Sequence, residues 1–329
     1  MKKKKINING LRELLLVGVV LLLCVVWTIM NPQFLSVNNI TNILRQASFT
    51  AIAAVGMTMI IIIGEIDLSA GSLVCAAGLV GAVVCKNTNS VLLAVLAAIL
   101  VGALVGLCNG ILCAVGCLPG FIATLASMTI LRGLAYIITG GNSIVWSNDN
   151  FTKIGTGYIG PVPIPVIIMI IAIIFGVMLT TKFRFGRYIY AVGGNMETSR
   201  WSGIPVVKVK ILVYVIMGIL TSIAGLIVTT RLGSGQPSAG LNFEMDCITA
   251  SVVGGTSMSG GRGKVMGTVV GVLLLTVLTN GMTLVGMNTY WQQVLKGVII
   301  VVSVLADTRG KAKEIYLLML EGLSQSKRR

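Results

Sequence analysis

The feature that most constrains the fold is a series of ten apolar runs separated by short polar breaks. A helix needs about 20 apolar residues to cross the hydrocarbon core of a bilayer, and most of these runs approach that length. The runs lie at residues 14–30, 47–63, 68–85, 91–115, 121–139, 162–181, 207–229, 246–256, 265–284 and 290–306. Run 246–256 is too short to span alone, so it either crosses with other helices around it or is re-entrant. The pattern predicts an all-α membrane protein, a single transmembrane domain over residues 1–329 with about ten transmembrane helices.

Composition supports a bilayer rather than water as the solvent. Hydrophobic residues make up 55% of the chain and charged residues only 11%, which exceeds what a soluble core of this size needs. The net charge of +15 sits in short clusters between the apolar runs, with no basic face to follow a phosphate backbone. We therefore expect no nucleic-acid partner and interpret the charge as a signal of topology.

The cationic residues are strongly biased to one side of the predicted membrane. With the N-terminus inside and ten crossings, the inside segments hold 19 of the 25 Lys and Arg residues. By the positive-inside rule these segments are cytoplasmic. The prediction is a cytoplasmic N-terminus at 1–13, a cytoplasmic loop at 182–206 and a cytoplasmic tail at 307–329.

The loop at 182–206 is the one long basic break in the chain. Arg184, Arg187 and Arg200 orient it, and its aromatic, Gly and Pro content favours a short amphipathic element over a solvated linker. Such an element predicts a docking surface for another protein. Apolar anchors of the kind that carry interface energy are Met196, Trp201 and Ile204.

Four polar residues inside or beside the apolar runs are candidates for a translocation path: Asp67, Ser69, Arg132 and Lys296. An ionisable residue within a span is a functional candidate by default, but Arg132 and Lys296 could equally snorkel or pair structurally. Asp67 lies at a break between Gly64 and Gly71. It is placed either to cap the following helix or to line a polar kink on a permeation route.

No constellation for catalysis, metal binding or cofactor binding is visible. The seven cysteines lie in or beside apolar runs, and the chain has no His. The segment 260–264 resembles a phosphate-binding loop only briefly, because Met258 and Val265 stand where that motif needs Gly and Ser or Thr. We expect a transport protein rather than an enzyme, and any ATP that drives it must be bound and hydrolysed by another subunit.

Motifs along nearly the whole chain carry a resemblance. Those in the first half are Gly56-Met-Thr58, Ile66-Asp-Leu-Ser-Ala-Gly-Ser72 and Leu118-Pro-Gly-Phe-Ile-Ala-Thr-Leu125. Those in the second half are the run 186–210, Gly225, Arg231-Leu-Gly-Ser-Gly-Gln-Pro-Ser-Ala-Gly240, Gly254-Gly-Thr-Ser-Met-Ser-Gly-Gly-Arg-Gly263 and Trp291-Gln-Gln-Val-Leu-Lys-Gly297. Together they resemble the permease subunit of bacterial ABC importers for ribose and other simple sugars.

That resemblance implies a fold, a location and a set of partners. The fold is the ten-helix permease fold with a cytoplasmic coupling helix, in the bacterial cytoplasmic membrane. The partners are ATPase subunits, an external sugar-binding protein and a second permease copy, most simply as a homodimer. ATPase coupling falls to the loop residues Gly186, Arg187, Gly193, Gly194, Asn195, Glu197, Arg200, Trp201, Ser202, Gly203, Ile204 and Pro205. Two departures, Glu65 for a usual Gly and Thr198-Ser199 for a usual Ala pair, put partner specificity in doubt.

Two questions stay open at this point. A secondary transporter of a small polar solute is the alternative function, since Glu65 and Asp67 approach the description of coupling carboxylates. The resemblance also does not name the sugar: ribose, other pentoses, galactose, allose and the autoinducer-2 signal all fit.

Overall fold

The computed structural model describes residues 8–305, and within this range the chain is nearly all helical. Residues 1–7 of the predicted N-terminal segment and the predicted tail at 307–329 lie outside this range. The helices are α1 (Ile8–Met30), α2 (Val37–Ile62), α3 (Ala70–Thr88), α4 (Val91–Ala114), α5 (Gly120–Thr139), α6 (Asp149–Thr156), α7 (Ile164–Thr181), α8 (Arg184–Gly194), α9 (Met196–Trp201), α10 (Val206–Leu232), α11 (Phe243–Val253), α12 (Val265–Leu284) and α13 (Thr289–Leu305). A 3-10 turn at Pro32–Leu35 joins α1 to α2.

A helix lies at each of the ten apolar runs. Seven helices in the described range are long and apolar enough to cross a membrane, namely α2, α3, α4, α5, α7, α10 and α12. Shorter apolar helical stretches lie at Leu14–Met30 and Thr289–Leu305, and α11 has only 11 residues. The prediction of a multi-pass helical membrane protein is confirmed, whereas the crossing of the membrane by α1, α11 and α13 stays a prediction.

Two helices form the centre of the bundle. α2 is buried without interruption from Ala51 to Ile63, and α10 packs against α2, α3 and α4. Glycines on α4 let α10 approach closely: a Cβ at Gly110 would lie only 2.8 Å from Ile211 Cα. Gly102, Gly106 and Gly110 are spaced four residues apart on α4, and such a stripe of small residues permits this close packing.

The bundle has two ends, separated by the length of α10. α10 has 27 residues, so it is about 40 Å long. Its first residue follows α9, and its last turn contacts α6, where a Cβ at Gly155 would lie 2.5 Å from Arg231 N. We call these the α8–α9 end and the α6 end.

The α6 end contains one short helix and one short hairpin between α5 and α7. Asn148 caps α6 by accepting hydrogen bonds from Asn150 N and Phe151 N. A two-residue hairpin follows, with β1 (Tyr158–Ile159) antiparallel to β2 (Val162–Pro163). This hairpin is the one departure from an all-α fold among the regular elements of the described range.

Candidate functional site

The basic break at 182–206 folds into two short helices, α8 and α9, between α7 and α10. α8 ends at Gly194, and extended Asn195 starts α9 by accepting a hydrogen bond from Thr198 N at 2.9 Å. Glu197 and Arg200 form an exposed ion pair of 3.6 Å within α9, which contributes little stability. The break is thus a compact helical element rather than a solvated linker.

One face of this element is buried and the other is exposed. Gly186, Ile189, Val192 and Ser199 are buried against the rest of the protein. Gly193 and Ile204 are half-buried, and the exposed members of the predicted coupling set are Arg187, Gly194, Asn195, Glu197, Arg200, Trp201, Ser202, Gly203 and Pro205. We call these nine residues the outer face.

The three predicted apolar anchors differ in exposure. Trp201 is 88% exposed on the outer face. Met196 and Ile204 are partly buried and pack against the protein's own hydrophobic core. Trp201 is therefore the most exposed of the three, and contact of all three with a partner stays a prediction.

The inner face of α8 meets two other chain breaks in a contact made of backbone. Gly261 N donates a hydrogen bond of 2.8 Å to Ile62 O, at the end of α2. A Cβ at Gly193 would overlap Ile62 O and lie 2.7 Å from Gly261 N, and a Cβ at Gly260 would lie 3.1 Å from Gly64 Cα. We call the segments 62–64 and 260–261, together with Gly193, the glycine junction.

A second contact fixes α8 to the segment between α11 and α12. Tyr190 donates its hydroxyl proton to Gly263 O at 2.9 Å. Burial raises the pKa of the Tyr190 phenol, so it remains a donor at neutral pH. α8 is therefore attached to α2 and to the α11–α12 connection at once.

Beside α9 lies a buried polar cluster centred on Glu65. Lys210 Nζ, on the first turn of α10, lies 2.5 Å from Glu65 Oε1, and both side chains are about one-tenth exposed. Tyr214 donates to Glu65 Oε2 at 3.2 Å, and Lys210 also donates to Cys113 O at 3.4 Å. A Cβ at Gly120 would overlap Glu65 Oε2. The cluster joins the α2–α3 break, α4, α5 and α10 at the α8–α9 end.

A cavity of about 290 Å³ separates this cluster from α9. Its lining includes Glu65 and Lys210 of the cluster together with Met196 and Arg200 of α9. The cavity is therefore bordered both by the buried ion pair and by α9.

Asp67 is engaged differently from the predicted cap. α3 begins at Ala70, and Ser69 at its N-cap position makes no side-chain capping bond. The Asp67 carboxylate instead accepts from Ser69 N at 2.8 Å and Ser69 Oγ at 2.6 Å. The prediction that Asp67 caps the first turn is wrong, because the carboxylate closes a local turn two residues before the helix.

The polar chain continues from Ser69 into α4 and α5. Asn109 Nδ2 donates to Ser69 Oγ at 3.1 Å, and Ser127 Oγ donates to Asn109 Oδ1. Thr124 Oγ1 accepts from Leu68 N at 3.0 Å. Asp67 and Ser69 are both buried, so the break between α2 and α3 is held by a closed hydrogen-bond network.

The two cations in the predicted spans also have partners. Arg132 donates from Nη1 to Pro237 O at 2.7 Å and Ala239 O at 2.8 Å, which fixes the segment before α11 to α5. Lys296 on α13 pairs with Asp246 on α11, with Nζ and Oδ1 2.6 Å apart. Of the four candidate path residues, Lys296 lines a cavity between α11 and α13. A translocation path formed by Asp67, Ser69, Arg132 and Lys296 stays a prediction.

Sequence reasoning missed the partners Lys210 and Asp246. Each has a signal in the chain that could have found it. Lys210 is a cation just inside an apolar run on the same side as the Glu65 break, and Asp246 is an acid at the edge of the shortest run. An unpaired charge at membrane depth is costly, so each lone ion requires a counter-ion within the bundle.

Comparison with known proteins decides the family. A family model described as "Branched-chain amino acid transport system / permease component" matches residues 39–304. The chain belongs to this permease family. The permease is 43% identical over 295 residues to a ribose import permease protein of Haemophilus influenzae, covering 88% of this chain and 91% of that protein.

Other relatives of the permease extend the comparison. A ribose import permease protein of Bacillus subtilis is 42% identical over 316 residues, covering 94% of this chain and 98% of that one. A xylose transport system permease protein of Haemophilus influenzae is 33% identical, covering 95% and 99%. No solved structure matches the permease significantly. The permease is thus a transport subunit, and the resemblance seen in its motifs is confirmed.

Proposed function

We propose that this permease is the transmembrane subunit of an ABC importer that takes up a monosaccharide, ribose or a related simple sugar, across the bacterial cytoplasmic membrane. The observation that carries the proposal is the identity of 42–43% to proteins named ribose import permease, over nearly the full length of both chains. The similarity to a protein named for xylose extends the substrate class to pentoses. Several apolar helices in a sequence without a catalytic constellation favour a transport path over an active site.

The proposed topology has ten crossings, with α8 and α9 in the cytoplasm and the α6 end outside. The distribution of 19 of 25 Lys and Arg residues supports this orientation, since it places both termini inside. It makes α1, α11 and α13 cross together with the seven helices that are long and apolar enough to span on their own. α11 can do so only because α2, α3 and α12 cover it, so that its short length leaves no backbone in lipid.

In this orientation the outer face of α8–α9 is the surface that receives the ATPase. The permease needs an outside source of work, because no nucleotide-binding motif is present in its sequence. ATP is therefore bound by the partner subunit, and the permease needs no cofactor of its own. Exposed Trp201 supplies an apolar anchor, and the glycine junction and the cavity beside Glu65 lie directly behind it.

The other proposed partners are an external sugar-binding protein and a second copy of the permease. The binding protein would dock at the α6 end, where α6 exposes Asp149, Asn150 and Lys153 and the hairpin exposes Tyr158, Ile159 and Val162. A second copy and lipid would together cover the exposed apolar sides of α4, α5 and α13.

Reconstitution tests the proposal directly. The permease alone in liposomes should neither hydrolyse ATP nor accumulate ribose, and uptake should require both the ATPase subunit and the sugar-loaded binding protein. Accumulation driven by an ion gradient, with the permease alone, would instead establish a secondary transporter.

Two outer-face variants test the docking surface. Trp201→Asp removes the exposed anchor, and Gly194→Trp adds bulk where no atom lies within 4 Å of the Cβ position, so neither disturbs the fold. Both should lose co-purification with the ATPase and stimulated hydrolysis, while Trp201→Phe and Gly194→Ala should retain them. Normal stimulation in both disruptive variants would leave α8–α9 a passive connection.

A further inference from the structure

A cavity of about 330 Å³ lies toward the α6 end, between the start of α11 and the first turns of α13. Its position at that end follows from neighbouring contacts. Asn39 near the start of α2 and Asn280 near the end of α12 exchange side-chain hydrogen bonds of 2.9 Å, just before α13 begins. The cavity is therefore on the side away from α8 and α9, where an external substrate would enter in the proposed orientation.

One stripe of α13 supplies most of the polar lining. Thr289, Gln292, Gln293 and Lys296 follow one another at three- and four-residue spacing, which places them on one side of the helix. Gly297 follows on the same side and leaves space next to the lysine. The opposite side of α13 exposes Val294, Val298 and Val301 instead. A polar stripe on an otherwise apolar helix is costly in a bilayer unless it faces water or a ligand.

α11 completes the lining with a carboxylate and an amide. Asp246 forms the ion pair with Lys296, and both side chains keep more than a quarter of their surface exposed. Asn242 makes no capping bond with its side chain, although it sits at the N-cap of α11. The cavity thus presents six polar side chains, which are Asn242, Asp246, Thr289, Gln292, Gln293 and Lys296.

The cavity between α11 and α13 differs little from the other two cavities in volume, but it differs in the polarity of its lining. A cavity of about 340 Å³ between α3, α4 and α5 is lined entirely by apolar side chains. The cavity beside Glu65 holds a more deeply buried ion pair and faces the α8–α9 end. Only the α11–α13 cavity combines a paired charge with several amide and hydroxyl groups among the three.

We propose that the α11–α13 cavity is a binding site for one monosaccharide in its passage through the permease. This inference rests on the proposed function and adds the place and chemistry of recognition. Each sugar hydroxyl both donates and accepts, so it can donate to the Asp246 carboxylate and accept from the Lys296 ammonium or from an amide. Because the two charges already cancel, the site favours a neutral polyhydroxylated ligand over an anion or a cation.

Chemical protection of a single cysteine tests the site. The fully assembled importer carries Gln293→Cys in a background with Cys108→Ser and Cys117→Ser, the cysteines that are exposed in the described range. The label is a charged methanethiosulfonate reagent, with D-ribose and D-xylose as probes. Sucrose is the size control, and L-leucine tests the ligand class in the family description. Val294→Cys, one residue on and outside the cavity, is the position control.

Monosaccharide should slow labelling of Gln293→Cys about tenfold at saturation and should not change labelling of Val294→Cys. Sucrose and leucine should protect neither position. Absence of protection by both pentoses, equal protection at both positions, or protection by leucine alone would overturn the site. If Gln293→Cys does not assemble, Thr289→Cys on the same stripe provides the same test.

A second measurement separates recognition from a purely structural ion pair. Asp246→Asn should lower the maximal uptake rate about tenfold while binding-protein-stimulated ATP hydrolysis persists, because a charged hydrogen-bond acceptor for the sugar is lost. Unchanged uptake with a lower melting temperature would show that the pair only joins α11 to α13. Sugar uptake by the unmodified importer without protection at Gln293 would refute this site and leave the proposed function standing. No uptake of any monosaccharide would refute the function itself.

Discussion

Gly193→Ala is the substitution whose effect the structure defines most sharply. The added methyl group would overlap Ile62 O and lie 2.7 Å from Gly261 N, and both neighbours are backbone atoms that no rotamer change can move. α8 must therefore shift away from the end of α2. That shift removes the 2.8 Å hydrogen bond between Gly261 N and Ile62 O or the packing around it.

The expected loss of stability follows from three contributions. Overpacking of a closed site costs about 1–3 kcal/mol. Weakening of a buried hydrogen bond adds about 0.5–1.5 kcal/mol. The better helix propensity of Ala returns at most about 1 kcal/mol, because Gly193 is next to the last residue of α8. The free energy of unfolding should therefore fall by about 0.5–4.5 kcal/mol.

Gly194→Ala is the matched control, one residue further along the same helix. Its Cβ position has no atom within 4 Å, so the methyl group meets open space. Reduced freedom of the unfolded chain should leave stability unchanged or raise it by up to about 1 kcal/mol. The two variants thus add the same methyl group to neighbouring residues. Gly193→Ala is expected to lower stability, whereas Gly194→Ala is expected to leave it unchanged or raise it.

Apparent melting temperature in detergent, at one fixed scan rate, orders the three proteins, since unfolding of such a chain is expected to be irreversible. The expected order is Gly194→Ala at or above the unmodified permease and Gly193→Ala below it. Gly193→Ala should also reduce the coupling of stimulated ATP hydrolysis to uptake. If Gly193→Ala and Gly194→Ala have the same apparent melting temperature, the backbone atoms at the glycine junction do not exclude a methyl group, and the reasoning is refuted.

Three further predictions concern charges and topology. Glu65→Gln should destabilise the permease by about 3 kcal/mol or more, because Lys210 is left buried without its counter-ion. Adding Lys210→Met to this variant should recover most of the lost melting temperature, and an additive loss in the double variant would argue against the ion pair. Asp67→Asn should keep transport and cost less than about 1 kcal/mol, since an amide oxygen can still accept from Ser69 N; loss of uptake by a normally assembled variant would assign the carboxylate charge to permeation. Single cysteines introduced at Asn148 and Thr198 should react with an impermeant thiol reagent from opposite sides of the membrane, and reaction from the same side would mean that one central helix does not cross.

The sequence predicted the helical elements well because each depends on local hydrophobicity and local chain chemistry. The apolar runs needed no knowledge of neighbours to be recognised, and α11 was correctly expected to be too short to span alone. The helical character of the 182–206 break also followed from its own composition.

Contacts between residues that are far apart in the sequence could not be predicted from such local patterns. Glu65 and Lys210 are far apart in the chain, and so are Asp246 and Lys296. In the sequence each of these residues is an isolated charge, and only the folded chain places its partner beside it. The partial burial of Met196 and Ile204 could not be predicted either, because composition does not tell which side of a short helix faces inward. Asp67 failed as a cap because α3 begins at Ala70, two residues later than a cap at Asp67 requires.

The glycine junction divides the α8–α9 element into positions where a larger residue does not fit and positions that tolerate substitution. At the junction, three stretches from distant parts of the chain meet through backbone atoms, so a larger residue in one cannot be offset by a smaller residue in another. The outer face carries no such restriction, since Gly194 and Trp201 touch little of the protein itself. An ancestral permease could therefore exchange one ATPase partner for another by substitutions on the outer face alone, while the arrangement of its spans stayed the same.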